Sequence, residues 1–466
     1  MQTMMSKSLT EDEIRELDNN YSSFGDTVHY SKNPKIFSEC LGSFMFDKKQ
    51  IPYLDLQMWY ASSNLGYRNK IISDAVIDCI NSMPQIASKF LFDHKVLLTE
   101  LIAKANMERF KEKGRVHFNV GGAQAIEDAI KLVRNYTNKN LMFAYMGSYH
   151  GRTTGASAVT SSFRYRENFG HFCNRANFIP YPYCYRCHYN KNKEDCNLYC
   201  VKMFEKLFEN EYKGLYNPKT KNCEFSAFII EPIQGTGGYI IPPKNYFAEL
   251  KKVLDKYNIL FIADEIQMGM YRTGKLWSIE HFNVIPDIIT FGKSLTNGLN
   301  PLSGLWAKEK LINPDIWGPG RTHSTYSSNP IGMRAGYEVM NIFKNNKEHL
   351  EDEIKRKGEK FLSGLNYLMK RFKTIGNVDG LGLALRIECT ENDRFTPNKK
   401  LTDFLTEEGL KGNLSYNGKK CGLVLNTGGY YKNVITLVPS INITDSEIEM
   451  AIELLAELFK RGEKNG

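Results

Sequence analysis

Phe225-Ser-Ala-Phe-Ile-Ile-Glu231-Pro232, Ile259-Leu-Phe-Ile-Ala-Asp264-Glu265 and Asp287-Ile-Ile-Thr-Phe-Gly-Lys293 are three short apolar runs, each ending on a charge. Apolar runs without alternation suit strands buried on both faces of a parallel sheet. The segments between them are long enough for crossovers, and Tyr246 to Lys256 reads as a crossover helix. In open α/β sheets ligands bind beyond the carboxyl ends of the strands, so the three charged ends are expected to share one site. A lysine facing an aspartate there suits a cofactor held as a Schiff base whose ring nitrogen needs a carboxylate partner. Pyridoxal 5'-phosphate (PLP) is such a cofactor. A plain Lys–Asp ion pair at a strand end is the competing explanation.

Working outward, the 466 residues suffice for a large core and two domains with a shared interface. Hydrophobic residues make up 42% and charged residues 24%, a balance that fits a globular enzyme. No apolar run approaches the roughly 20 residues that span a bilayer, so no membrane partner is expected. Met1 to Asn20 is polar and lacks the apolar core of a secretory signal. The net charge of +9 is dispersed, as in Lys347-Glu-His-Leu-Glu-Asp-Glu-Ile-Lys-Arg-Lys, and no basic stripe points to nucleic acid. Ten cysteines scattered along the chain fit a reducing, cytoplasmic location. Four of them cluster, Cys184, Cys187, Cys196 and Cys200, at a spacing of C-x2-C-x8-C-x3-C. That spacing suits a tetrahedral metal and equally a set of free thiols in a surface insertion, so no metal is assigned.

Along the chain, residues 1–20 read as a helix or an arm. Cys40 to Phe46 reads as a strand, Asp47-Lys-Lys as a turn, and a second strand ends at Tyr53-Leu-Asp55. Gly66 to Asn81 reads as a helix carrying Ile71, Ala75, Ile77 and Cys79. Val116 to Val120 is a short strand running into Gly121-Gly122-Ala123, and Ile126, Ala129, Ile130 and Val133 then form one helical stripe. Glycines between strand and helix let backbone N–H groups approach a phosphate at the helix start; a tight turn is the plainer alternative. Leu141 to Tyr145 is the next strand, followed by Gly147-Ser-Tyr149-His150-Gly151-Arg152, where an aromatic could stack on a flat ring. After Lys293 a polar loop, Arg321 to Pro330, precedes a helix from Ile331 to Phe343. The pattern divides the chain into three parts. Residues 1–70 form an N-terminal arm and part of a small domain. Residues 71–340 form a large cofactor domain with the cysteine-rich insertion at 181–200. Residues 341–466 form a C-terminal small domain, with strands at Gly382 to Glu388 and Val434 to Val438 and a closing helix from Asp445 to Arg461.

Taken together, these motifs resemble the class III PLP-dependent aminotransferases of the aspartate-aminotransferase fold, in the branch of 4-aminobutyrate aminotransferases and amino-acid racemases. The resemblance rests on Gly121-Gly-Ala-Gln-Ala-Ile-Glu-Asp-Ala-Ile-Lys, Tyr149-His-Gly-Arg, Glu231-Pro-Ile-Gln-Gly-Thr-Gly-Gly, Ala263-Asp-Glu-Ile-Gln267-Met-Gly, Arg272-Thr-Gly, Pro286-Asp-Ile-Ile-Thr-Phe-Gly-Lys293 and Thr325-Tyr-Ser-Ser-Asn-Pro. It implies an α/β fold of type I, with a large, mostly parallel sheet domain and a small α+β domain. It also implies a homodimer with active sites at the subunit interface and a small-molecule amine or amino acid as substrate. By matched position, Lys293 would carry the Schiff base and shuttle the proton, and Asp264 would hold the ring nitrogen protonated. Gln267 would bond the cofactor's phenolic oxygen and Tyr149 would stack on the ring. Gly122 and Ala123, with Thr325 from the partner subunit, would bind the phosphate. Glu231, Thr436, Trp59 and Tyr60 are candidates for the substrate pocket.

The departures narrow the expectation. Where the family usually reads Asn-Val-Ile-Arg, this chain reads Asn433-Val-Ile-Thr436. A hydroxyl cannot replace the planar, bidentate recognition of a carboxylate by a guanidinium. Glu231 is thereby expected to stand free for a substrate amine, with Arg321 or Arg386 as the replacement cation for a carboxylate. The expected activity is transamination between an amine or amino-acid donor and a keto or aldehyde acceptor. Racemisation, epimerisation or amino-group migration on the same scaffold is the alternative, and a non-catalytic binding protein is a third possibility disfavoured by the intact Lys293, Asp264 and Gln267.

Overall fold

Seven strands build the central sheet of the computed structural model, which describes residues 9–25, 34–170, 172 and 175–465. They are β1 (Gly114–Asn119), β2 (Leu141–Tyr145), β3 (Asn177–Ile179), β4 (Phe225–Ile230), β5 (Leu260–Asp264), β6 (Ile288–Phe291) and β7 (Ser303–Lys308). Their spatial order is β1-β7-β6-β5-β4-β2-β3. The run from β6 to β3 is parallel throughout. β7 pairs antiparallel with both β6 and β1.

The lack of alternation in the three decisive strands has a direct cause. Ala227, Ile229, Ile262 and Ile288 enter one apolar cluster with Ile126, Ala129, Ile130 and Val133 of α1 (Gly122–Thr137). Phe228, Ile230, Phe261, Ala263, Ile289 and Phe291 enter the other, with Phe247 and Leu250 of the helix Tyr246–Lys256. Successive side chains of a strand point to opposite faces, and here both faces are roofed by helices. Each buried Ile or Phe contributes about 1.5–3 kcal/mol relative to exposure, so a polar residue in these runs needs a reason to be there.

Besides a two-stranded ribbon at Tyr216–Asn217 and Asn222–Cys223, sheets of five and four strands accompany the central one. The strands Phe37–Leu41, Phe44–Asp47 and Pro52–Asp55 join Lys419–Val424 and Leu414–Tyr416 in one sheet, with Pro52–Asp55 parallel to Lys419–Val424. The N-terminal strands therefore share a sheet with the C-terminal part of the chain. A four-stranded antiparallel sheet runs Ile375–Leu381, Ala384–Cys389, Val434–Leu437, Asn426–Gly428. Among the described residues no helix is long and apolar enough to cross a membrane.

Some expectations needed correction. The strand expected from Cys40 to Phe46 is broken by Gly42, whose φ of +56° turns the chain between two strands. The helix expected at 66–81 spans Lys70–Ser82, starts on an Asn69 cap, and buries Ile72, Ala75 and Cys79. Ile71 and Ile77 are exposed, because the buried stripe runs at spacings of three and four from Ile72. Helix Asp93–Phe110 was not anticipated. It buries Leu98, Ile102, Asn106 and Phe110, a narrow row four residues apart that composition alone hides. In the N-terminal stretch a helix spans Glu11–Tyr21, capped by Thr10 and Glu13, and residues 1–8 lie outside the described residues.

Candidate active site

Glu231, Asp264 and Lys293 lie at or just beyond the carboxyl ends of β4, β5 and β6, three neighbouring parallel strands. Asp264 is buried and held from three sides. His150 Nδ1 lies 2.6 Å from its Oδ2, while the Thr290 hydroxyl (3.2 Å) and the Ile266 N–H (3.1 Å) donate to Oδ1. His150 is itself fixed, its N–H donating to Thr160 Oγ1 at 2.9 Å, and its buried Nε2 has no partner among the described residues. Lys293 is partly buried and has a φ of +40°, the left-handed region that non-glycine residues avoid. Burial pushes its ammonium below the ordinary lysine range, against the opposing pull of Asp264 and Glu231. A lysine shifted in this direction has more free amine available as a nucleophile.

The loop after β2 faces this group. The Tyr149 N–H donates to Glu231 Oε1 at 2.9 Å, and its ring stands edge-on to Tyr165 at 5.2 Å with Arg152 5.9 Å from the ring centre. The Gly235 N–H donates to Glu231 Oε2 at 2.8 Å. The expectation that Glu231 stands free for a substrate amine therefore fails. Both its oxygens accept backbone N–H groups, and burial raises its carboxyl to about 7. Glu231 clasps two loops together.

Gly122 and Ala123 open α1, and no side chain caps that helix start. Its uncompensated N–H groups are the kind of donors a phosphate takes. A Cβ at Gly122 would come within 3.1 Å of Ile266, two residues from Asp264, so the helix start and the end of β5 are packed together. Gln267 donates to the Tyr60 carbonyl at 3.4 Å. Met58, Trp59, Tyr60 and Ala61 all have φ between +43° and +65°, a left-handed turn that costs about 1–2 kcal/mol per residue. Asp55 anchors it, accepting the N–H groups of Gln57 (2.7 Å) and Met58 (2.9 Å). The turn leaves Trp59 and Tyr60 exposed, with Trp59 lying over Gly298. Thr325 is exposed, and among the described residues no hydrogen bond ties it to the helix start of its own chain.

Thr436 is buried in the four-stranded sheet, where its hydroxyl accepts from Asn426 Nδ2 at 2.8 Å. Its neighbour across Gly428 is the Thr236 loop, not the Glu231 carboxylate. Of the two arginines considered as replacements, Arg321 is exposed, whereas Arg386 lies directly across the strand pair from Thr436. The four clustered cysteines line one small recess with Tyr189 and Tyr199 and carry no disulfide. Among the described residues no three His, Cys, Asp or Glu side chains are arranged to hold a metal ion.

Sequence reasoning did not assign His150 or Thr290, yet both left a trace. Thr290 is the lone polar residue inside the apolar run of β6, and His150 sits in the motif beside Tyr149. The partly buried lysine, the braced carboxylate at the adjacent strand end and the uncapped helix start fit PLP, with its aldehyde, ring nitrogen and phosphate each matched by a donor set.

The sequence pattern of the class III aminotransferase family matches residues 27–459. This chain belongs to that family. It is an enzyme, a PLP-dependent transferase of the type I fold. A leucine/methionine racemase of Thermococcus litoralis is 32% identical over 421 residues, covering 88% of this chain and 87% of that protein. A diaminobutyrate–2-oxoglutarate aminotransferase of Haemophilus influenzae is 29% identical, covering 91% and 89%. A crystal structure of a transaminase from the marine bacterium Virgibacillus has a TM-score of 0.82 at 26% identity and covers 97% of this chain and 99% of that one.

Proposed function

We propose that this aminotransferase works as a cytoplasmic homodimer on a small amine or amino acid, with Lys293 and Asp264 as its catalytic pair. Two domains serve the reaction: residues 71–340, and a small domain built from 1–70 together with 341–466. The observation that carries the assignment is the meeting of Lys293 and Asp264 at adjacent parallel strand ends, the aspartate braced by His150 and Thr290. Bound PLP supplies a conjugated electron sink for the carbon that bears the amine. Lys293 Nζ would hold the cofactor until the substrate amine takes its place, and the amine so released would take the proton from that carbon, a task suited to an amine whose charge is destabilised by burial. Asp264 keeps a proton on the ring nitrogen, while His150 and Thr290 keep Asp264 in place. Tyr149 covers the ring, Gln267 bonds the phenolic oxygen, and Gly122 and Ala123 bind the phosphate with Thr325 of the partner subunit. The exposure of Thr325 supports a role across a dimer interface. Trp59, Tyr60 and Thr436 border the substrate.

The test is to incubate the purified enzyme with single amine donors and follow both the cofactor spectrum and the keto product. Stoichiometric conversion of donor to its keto or aldehyde product, with the amine left on the cofactor, is expected. Unchanged spectrum across a broad donor panel would refute the proposal. Racemisation is a second reading, favoured by the similarity to the Thermococcus racemase. It predicts loss of optical rotation without keto product.

A further inference from the structure

Asp128 is a buried carboxylate that the proposed chemistry does not use. It sits on α1, whose first residues form the proposed phosphate site. Its neighbours Ile126, Ala129, Ile130 and Val133 belong to the apolar core, so its charge needs partners. Three side chains supply them. His117 Nε2 lies 3.1 Å from Oδ2, Asn119 Nδ2 donates to the same oxygen at 2.6 Å, and Lys131 Nζ donates to Oδ1 at 2.8 Å. Burial opposes the Asp128 charge, and these bonds outweigh it, holding the carboxyl below its ordinary range. His117 and Asn119 stand two residues apart on β1, so both point to the face that α1 covers.

An ionised carboxylate only accepts, so His117 Nε2 carries the proton. That N–H reaches two acceptors: Asp128 Oδ2 and, at 3.2 Å, the hydroxyl oxygen of Thr322. Thr322 belongs to the segment between β7 and the helix Pro330–Asn345. The first part of that segment is fixed against α1. Ile316 and Trp317 pack on the cluster that holds Ile126, Ile130 and Val133, and the Asn135 amide donates to the Ile316 carbonyl. The Trp317 ring meets the His117 ring edge-on, with centroids 5.9 Å apart. Beyond Trp317 the hold thins. From Gly318 to Ser327, two hydrogen bonds reach the rest of the chain among the described residues: Thr322 to His117, and an exposed one between His323 and Ser88. Thr322 is partly buried, and Thr325, three residues on, is exposed. The His117 contact is therefore the last sheltered anchor before Thr325. Ordering a backbone costs conformational entropy, so a loop already held near its ligand group binds more tightly than one ordered on binding.

We propose that His117 is a positioning residue for the other subunit's active site: by joining Thr322 to Asp128, it fixes the loop that presents Thr325 to the cofactor phosphate bound by the partner. Helix α1 then serves two sites, its own through the helix start and the partner's through Asp128 and His117. The inference rests on the function proposed above, in which Thr325 crosses the dimer interface.

Cofactor affinity provides the test, read as the absorbance of lysine-bound PLP when the cofactor-free dimer is titrated with PLP. His117→Phe should weaken it about three- to tenfold, the scale of one hydrogen bond. Thr325→Ala should weaken it at least as much, and the double variant should be no weaker than Thr325→Ala, since His117 acts through Thr325. Mixed dimers then tell the two sites apart, because Lys293→Ala silences the absorbance of one. With His117→Phe and Lys293→Ala in the same subunit, the remaining site receives its loop from the altered chain and should be weakened as in His117→Phe. With the two changes in different subunits, the remaining site receives an intact loop and should bind PLP as the dimer of wild type with Lys293→Ala does. The opposite pattern would mean that His117 acts on its own helix start, and it overturns the proposal, as does equal affinity in the two mixed dimers. If Thr325→Ala weakens binding and His117→Phe does not, the inference alone fails. If Thr325→Ala leaves affinity unchanged, or no dimer forms, the proposed role of Thr325 fails and the inference with it. Should His117→Phe not fold, Thr322→Val removes the same contact from the loop side and carries the same expectations and the same refutations.

Discussion

The strand ends of the central sheet and the face of the four-stranded sheet opposite them were built under different constraints. At the strand ends each charged group has one structural answer. Asp264 has three partners, Glu231 has two backbone clasps, and Lys293 is forced into a left-handed backbone. Every one of these residues carries the type that the family uses. On the facing sheet the same fold carries different chemistry. Threonine stands where the arginine is usual, and an arginine stands opposite it with part of its guanidinium unsatisfied. On the proposed roles, the difference separates two jobs: the groups for reaction chemistry are braced where strands end, while the sheet that would border the substrate offers cross-strand pairs, Thr436 and Arg386 among them, that can exchange a guanidinium without moving the backbone.

The largest effect expected lies on the first side. Lys293→Ala should lower turnover by at least about a thousandfold, since positioned proton transfer alone supplies about 10²–10⁴. The fold should survive, because Lys293 is not core packing. Single-turnover kinetics on cofactor-loaded protein is the measurement, and substantial turnover without the lysine would sink its assigned role. Asp264→Asn comes next, at about a hundredfold or more, because an amide does not hold a proton on the ring nitrogen. His150→Phe should fall between Asp264→Asn and wild type. The phenyl keeps the volume but leaves Asp264 Oδ2 without its 2.6 Å partner. An Asp264→Asn enzyme as active as wild type would mean that the strand ends are less constrained than this comparison holds.

On the second side, Thr436→Arg should shift donor preference toward α-carboxylates by about tenfold, the scale of one bidentate pair. The new guanidinium would stand opposite Arg386. Retained cofactor absorbance guards against simple misfolding at this buried position. If wild type already prefers α-amino dicarboxylates and the arginine adds nothing, the carboxylate is recognised elsewhere.

The same contrast explains what the sequence disclosed. The fold was legible because both faces of β4, β5 and β6 are buried, and double burial erases alternation in a way a single sequence displays. Lys293 and Asp264 were legible because a charge closing such a run has no packing reason to be there. Glu231 was located correctly and misread. Its identity gave no sign that the loop turns at Tyr149 and Gly235 would point two N–H groups at it. Arg386 could be named only as one of two arginines, since the pairing that sets it opposite Thr436 joins segments 50 residues apart. The row of helix Asp93–Phe110 was missed because one buried residue per turn leaves the other positions free to be polar.

The smallest effect concerns Glu231 and is a matter of stability. Its carboxyl ionises near 4.5 under ordinary conditions and near 7 in the fold, chiefly because burial opposes the charge. Between those values the folded chain keeps a proton that the unfolded chain releases. The favourable contribution is thus complete below about pH 4.5 and is lost as the pH rises through about 7. The loss amounts to about 3 kcal/mol at most. Glu231→Gln removes the titration. Its amide nitrogen cannot accept one of the two N–H groups that the carboxylate serves, which costs about 1–3 kcal/mol, but that cost does not change with pH. Urea unfolding of both proteins at pH 5 and pH 8 separates the two contributions. The variant should be the weaker protein at pH 5 and should recover ground on wild type by pH 8. A stability gap of constant size across that range would show that Glu231 stays ionised throughout, and that the clasp between the two loops outweighs the cost of burying its charge.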